Sequence, residues 1–307
     1  MLFWGNSCPN NNKDYCFCKA LFYSKLYLKM KSSKLKIGLV QMHCGKNPQE
    51  NLGGAILRIK KLAKAGAKII CLPELFLTEY FCQSRDKKFF ELAEKIPGGP
   101  TLIALQKTAK ETGVVITTSI YENAGKGKFF NTAVVIDADG KFLGKYRKMH
   151  IPDDPEHYYD EAHYFSKGDL GVKVFKTKYA KIATLICWDQ WFPESAREAA
   201  KKGAQIIFYP TAIGFQPKEN LKIAKAEHEA WQLIQRSHAI ANNVFVAAAN
   251  HVKKENHLNF WGSSFVSDPY GRVISQAPID RSADIIAKCD LSLIPQMRHD
   301  WPFLKNC

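Results

Sequence analysis

From residue 35 onward, short apolar runs alternate with stretches whose apolar residues recur at helical spacing. Leu35–Met42 and Lys68–Leu72 read as buried strands. Between them Pro48–Ala65 reads as a helix, with Pro48 near its start and Gly66 just past its end. This is a βαβ opening. Pro100–Thr112 predicts another helix, Val114–Tyr121 and Phe130–Ile136 predict strands, and Asp137-Ala138-Asp139-Gly140 a turn into an antiparallel strand at Lys141–Tyr146.

The second half repeats the scheme. Lys181–Ile186 predicts a strand, Pro193–Lys202 a helix, Gln205–Tyr209 a strand, and a long helix from about Lys218 to Asn242 precedes a strand at Val244–Ala249. Phe260–Ser267, the turn Asp268-Pro269-Tyr270-Gly271 and Arg272–Gln276 form a hairpin, and Asp284–Asp290 is a final strand. Two similar halves, each with a polar residue just after an inner strand, predict an α/β fold: two sheets face to face with helices outside both.

Residues 1–34 lack this periodicity and read as an N-terminal extension, with 35–307 as one domain. Met30 stands just before the first strand, so residues 1–29 read as an upstream extension or a wrongly chosen start. The apolar stretch Ala20–Leu28 lacks the basic region and cleavage site of a signal peptide. Cys16 and Cys18 have no second pair at zinc spacing. No run of 18 apolar residues predicts a membrane span. The nine cysteines are too irregular for a disulfide framework and read as reduced thiols in a cytoplasmic protein.

The formal net charge of +15 raises the question of a nucleic-acid partner. Its location answers it. The extension holds six lysines and one aspartate, about a third of the excess, and the remainder lies on helix faces such as Lys60, Lys61, Lys64 and Lys68. With no zinc-finger or RNA-recognition pattern beside it, the charge predicts neither a nucleic-acid nor a membrane partner.

Three segments carry chemistry: Leu72-Pro73-Glu74-Leu75-Phe76, Tyr146-Arg147-Lys148-Met149-His150-Ile151-Pro152 and Ile186-Cys187-Trp188-Asp189-Gln190-Trp191-Phe192-Pro193-Glu194. They place a carboxylate, an ammonium and a thiol at strand ends. A thiol attacks an unactivated amide-type carbon only if one group takes its proton and another holds the charge developing on the carbonyl oxygen. Glu74 suits the general base, a role contributing about 10²–10⁴ in rate. Lys148, with the backbone N–H of Trp188, suits the oxyanion donor, contributing roughly 3 kcal/mol. Cys187 sits on a strand-to-helix turn ahead of Pro193, near N–H groups that favour negative charge. A Cys-His dyad with His150 ranks second. No helix carries His-Glu-x-x-His, and His228, His238, His251 and His257 are scattered, so no metal site is predicted.

These segments, with Tyr80-Phe81-Cys82-Gln83 and Phe208-Tyr209-Pro210-Thr211-Ala212-Ile213-Gly214, resemble the nitrilase superfamily of carbon–nitrogen hydrolases from about Leu35 to Leu304. The resemblance implies a four-layer αββα sandwich of two mixed sheets, no metal or other cofactor, and a homo-oligomer built on a dimer. It also implies a second catalytic glutamate, which falls on Glu161 when Tyr164-Phe165 and Gly168-Asp169 serve as anchors. His251 stands where an arginine is common.

The residues after the thiol bear on the substrate. Recognition of a substrate carboxylate would call for arginines there, pairing bidentately. Trp188, Gln190 and Trp191 stand there instead, which predicts a small-molecule ureido amine: a neutral head with a cationic tail met by carboxylates and aromatic faces. Asp154 and Tyr158, with Glu156 and Tyr159 on the same loop, are the candidates for that tail.

Overall fold

Successive residues of a strand point to opposite faces, and in the computed structural model, which describes residues 34–306, this alternation sorts the side chains into layers. Twelve strands form two six-stranded sheets. In chain order they are β1 (Lys34–Gln41), β2 (Ile69–Cys71), β3 (Val115–Asn123), β4 (Phe129–Ile136), β5 (Phe142–Arg147), β6 (Phe175–Lys176), β7 (Lys181–Thr184), β8 (Ile206–Thr211), β9 (Phe245–Asn250), β10 (Phe265–Ser267), β11 (Val273–Gln276) and β12 (Ala283–Asp290). The first sheet runs β12-β1-β2-β3-β4-β5 and the second β11-β10-β9-β8-β7-β6. In each, a parallel centre is flanked by antiparallel strands.

The helices are α1 (Pro48–Lys64), α2 (Pro100–Thr112), α3 (Pro193–Lys201), α4 (Leu221–Asn242) and α5 (Leu293–Asp300). Ile206 and Phe208 of β8 face the first sheet, meeting a layer that includes Leu35, Ile37 and Leu39. Their neighbours Ile207 and Tyr209 face the other way, onto Ala196 and Ala199 of α3 and Trp231 of α4. On the first sheet Val40, Ile70 and Ile116 pack outward against Ile59 of α1 and Leu105 of α2. The stack is therefore helix, sheet, sheet, helix. Each fully buried Val, Leu or Ile side chain among these contributes about 1.5–3 kcal/mol.

Several expected boundaries move. The long helix starts at Leu221, because the Asn220 side chain accepts the Lys222 N–H and caps it there. The strand expected over Phe260–Ser267 is two strands: Leu258–Trp261 pairs with Val252–Glu255, and β10 follows after Gly262 and Ser263, both at positive φ. Periodicity does not register such a break. α5 and the Val252–Trp261 hairpin were not anticipated. The expectations for residues 1–33, Cys16 and Cys18 among them, lie outside the described residues. No helix of the described residues is long and apolar enough to cross a membrane.

One feature of the topology positions the site. A parallel bridge between Met42 and His251 links the ends of β1 and β9, so the two sheets run in the same direction where they meet. β2, β5, β7 and β8 share that direction, and their carboxyl ends gather at one edge of the sandwich. Ligands of α/β folds bind at such edges.

Candidate active site

Glu74 follows β2, Lys148 follows β5, Cys187 follows β7 and Ala212 follows β8. The edge brings them together. Period two along β5 sends Lys145 and Arg147 to one face, where both pair with Glu122, and Tyr146 and Lys148 to the other. This separates the buried lysine from two cationic neighbours that look like its equals in the sequence.

Lys148 is fully buried, and its Nζ donates to Glu74 Oε1 at 2.8 Å and to Glu161 Oε1 and Oε2 at 2.8 and 2.7 Å. Tyr80 Oη donates to Glu161 Oε1 at 2.7 Å, and Asn131 Nδ2 donates to Glu74 Oε1 at 2.8 Å. Glu74 Oε2 is buried and has no hydrogen-bond partner among the described residues. Glu161 reaches Lys148 because its loop returns against the end of β5: Gly168 donates to the Lys148 carbonyl at 2.8 Å, and a Cβ on Gly168 would lie 2.1 Å from the Arg147 carbonyl oxygen. Only glycine permits that approach.

Two carboxylates thus face one ammonium beside a thiol. Burial alone would lower the pKa of Lys148, but Glu161 and then Glu74 override it and hold the ammonium well above the usual lysine range. Burial pushes the Cys187 thiol well above its ordinary range, and the Glu74 carboxylate adds to the rise against the pull of Lys148. Cys187 therefore rests as a neutral thiol. Passing its proton to a nearby carboxylate leaves the charge of the whole cluster unchanged, which avoids placing new charge in a dry site.

The thiol sits on a sharp turn. Cys187 has φ of 40° and opens the short 3-10 helix Cys187–Trp191, which α3 follows with Pro193 in its first turn. Asp189 holds this turn. Its Oδ2 accepts from Ile186 N at 2.9 Å and Tyr146 Oη at 2.8 Å, while Oδ1 accepts from His150 N at 3.1 Å and pairs with His150 Nδ1 at 2.7 Å. The His150 ring also stacks on Phe192 at 3.7 Å. It is thus engaged with Asp189 and Phe192, whereas the Cys187 Sγ contact is the Ala212 carbonyl at 3.8 Å.

Gln190 is buried, its Oε1 accepting from Trp231 Nε1 on α4 at 2.9 Å, so the amide oxygen is spent on the helix. Trp188 and Trp191 are partly exposed and meet edge to face at 6.4 Å. Asp154 pairs with His157 at 2.9 Å, and Tyr158 stacks on His257 at 4.4 Å. A cavity of about 690 Å³ lies to that side, lined in part by Phe81, Gln83 and His257.

Sequence reasoning assigned no role to Tyr80, Asn131 or Asp189. Asn131 had a signal, an amide inside the apolar strand Phe129–Ile136. Among the described residues Cys44, His251 and Glu255 form one further cluster with metal-ligand chemistry, their ligand atoms within 4.8 Å of one another. Hydrogen bonds already engage it. Glu255 Oε1 accepts from Cys44 N at 3.1 Å and faces His251 Nδ1 at 3.0 Å, and Oε2 accepts from Tyr80 N at 2.9 Å.

A buried carboxylate, an ammonium and a thiol on a turn at one sheet edge make an apparatus for thiol-dependent attack on a carbon–nitrogen bond. The comparisons agree. Residues 36–299 match the carbon-nitrogen hydrolase family, and the chain belongs to it, the nitrilase superfamily expected from the motifs. It is a hydrolase of carbon–nitrogen bonds other than peptide bonds. It is 41% identical over 279 residues to an N-carbamoylputrescine amidase of Solanum lycopersicum, spanning 88% of this chain and 91% of the relative. It is 40% identical over 280 residues to a citrullinase of Francisella tularensis subsp. tularensis, spanning 89% and 95%. Its fold superposes on the crystal structure of a carbon-nitrogen hydrolase from Helicobacter pylori G27 with a TM-score of 0.85 and 35% identity, covering 89% and 95%.

Proposed function

We propose that this enzyme hydrolyses N-carbamoylputrescine to putrescine, carbon dioxide and ammonia through a covalent Cys187 intermediate. The observation that carries this reading is the buried Glu74–Lys148–Glu161 cluster beside Cys187, in a chain about 40% identical to amidases of that name.

Glu74 takes the Sγ proton as the sulfur attacks the ureido carbon, and Lys148 and the Trp188 N–H hold the oxyanion. Glu74 returns that proton to the departing amide nitrogen, ammonia leaves, and a carbamoyl thioester remains on Cys187. Glu74 then takes a proton from water; the hydroxide displaces the sulfur, which recovers the proton. The freed carbamate loses carbon dioxide to leave putrescine, so one water is consumed overall. Glu161 keeps Lys148 directed at the reacting oxygen.

The cationic tail is met from the loop after Lys148 and the start of α4. Asp154 pairs with His157, and the Glu227 charge reaches the same histidine and Tyr159, so these two carboxylates are the acidic partners that support this reading. Partial burial, then the adjoining Glu219 carboxylate, raises the pKa of Glu227, and a bound ammonium would relieve that repulsion. Trp188, Trp191 and Tyr158 supply aromatic faces. The buried thiols fit a reducing cytoplasm. Assembly of copies on a dimer would cover exposed apolar side chains such as Leu221, Ile223 and Leu233 on α4.

The citrullinase similarity favours one second reading, citrulline, which has the same ureido head on a zwitterionic tail. Ammonia release from N-carbamoylputrescine, citrulline and N-carbamoyl-β-alanine separates the readings. Preference for N-carbamoylputrescine is expected; preference for citrulline or the anionic compound overturns it.

A further inference from the structure

The peptide unit between Glu74 and Leu75 is held from both sides. Leu75 has φ of 47°, a left-handed conformation that is strained for a branched aliphatic residue and persists only where its surroundings enforce it. Its N–H donates to Ser119 Oγ at 2.9 Å, and the Glu74 carbonyl accepts from His251 Nε2 at 2.5 Å. The other ring nitrogen of His251, Nδ1, faces Glu255 Oε1 at 3.0 Å.

Both partners of the ring are acceptors. A carbonyl oxygen cannot donate, and each Glu255 carboxylate oxygen already accepts a backbone N–H, from Cys44 and from Tyr80. An imidazole donating on both sides is an imidazolium. The other titratable and charged groups in this neighbourhood are the Cys44 thiol, whose pKa burial raises, His43 at 3.7 Å from Glu255 Oε1, and Arg58, whose charge reaches Cys44; the Phe260 ring packs at 5.1 Å. Burial would lower the pKa of His251, but the Glu255 carboxylate paired with Nδ1 holds it above the usual histidine range.

We infer that His251 is a positioning residue for the reaction: as a buried imidazolium anchored on Glu255, it fixes the strained Glu74–Leu75 peptide and so aims the Glu74 carboxylate between Cys187 and Lys148. It acts through the backbone and touches no reacting atom. Glu255 anchors the other side of the same cluster through the Tyr80 N–H, and Tyr80 Oη holds Glu161. One ion pair beneath the site thus sets the placement of both carboxylates that face Lys148.

This rests on Glu74 serving as the base in the proposed reaction, and the test separates the two. A glutamine amide cannot donate in two opposed directions, whereas an arginine guanidinium can. With the full chain, His251→Gln is expected to lower kcat on N-carbamoylputrescine at least tenfold with KM within twofold. Alkylation of Cys187 by iodoacetamide at pH 7.5, located by peptide mapping, should slow by a similar factor. His251→Arg should restore both to within about threefold of the unsubstituted enzyme. Ser119→Ala, which releases the other side of the same peptide, should lower kcat several-fold with KM unchanged and stands as the test if His251→Gln does not fold. Unchanged kcat in His251→Gln, or equal losses in the glutamine and arginine variants at equal melting temperature, overturns the inference. So does unchanged kcat in Ser119→Ala where that variant stands alone. If the unsubstituted enzyme leaves N-carbamoylputrescine untouched while the alkylation rates behave as stated, the substrate reading fails and the positioning role stands.

Discussion

Replacing Glu161 with glutamine should move two properties of the site in opposite directions. Glu161 supplies two of the three hydrogen bonds that orient the Lys148 ammonium and accepts a third bond from Tyr80. An amide in its place turns one oxygen into a donor. At least one charge-assisted bond to Lys148 is lost, a cost of about 1.5–3 kcal/mol. If that loss is felt fully in the transition state, kcat falls by roughly 10- to 150-fold, since each 1.36 kcal/mol is tenfold. The same change removes a negative charge that raises the Cys187 pKa, so the thiol should ionise more readily. Steady-state ammonia release gives the first quantity, and the pH dependence of Cys187 alkylation gives the second. The expected result is slower turnover with the alkylation profile displaced to lower pH. A variant whose alkylation profile stays put or moves up would refute the electrostatic account; unchanged turnover would refute the role of Glu161 in directing Lys148.

Cys187→Ala should abolish ammonia release yet melt within a few degrees of the unsubstituted enzyme, because the thiol's hydrogen bond to the Ala212 carbonyl is weak and alanine keeps the site apolar; residual turnover would exclude the covalent route. Asp189→Asn places a donor against groups that already donate to that turn, and losing about 3 kcal/mol there should lower the melting temperature by roughly 5 °C. An unshifted melting curve would show that Asp189 does not hold the turn. Stability should also fall steeply above about pH 9. Burial raises the pKa of Cys44, Cys71, Cys82, Cys187 and Cys289, so the unfolded chain loses thiol protons that the folded chain keeps. Each such thiol then removes about 1.4 kcal/mol per pH unit. Lys148, held charged in the fold, loses its contribution in the same direction as pH rises. Denaturant midpoints between pH 6 and 10.5 test this, and a midpoint independent of pH above 9 would contradict it.

The sequence by itself determined the layers and the chemistry. The placement of apolar runs around Ile206–Tyr209 and Ile69–Cys71 is a local property of strands, and period two decides which residue enters which layer. Glu74, Lys148 and Cys187 were legible because each interrupts an apolar pattern at a strand end. The tertiary structure decided which polar residues meet. Glu161 reaches Lys148 through a loop whose closure depends on Gly168, and Asp189 and His251 hold turns that no local periodicity encodes. His150 shows the limit most plainly: a histidine two residues past Lys148 is engaged by Asp189 and Phe192. Periodicity reports the environment of a residue along its own element, whereas hydrogen-bond partners come from segments tens to hundreds of residues apart. Their pairing exists only once the two sheets have aligned their carboxyl ends at one edge.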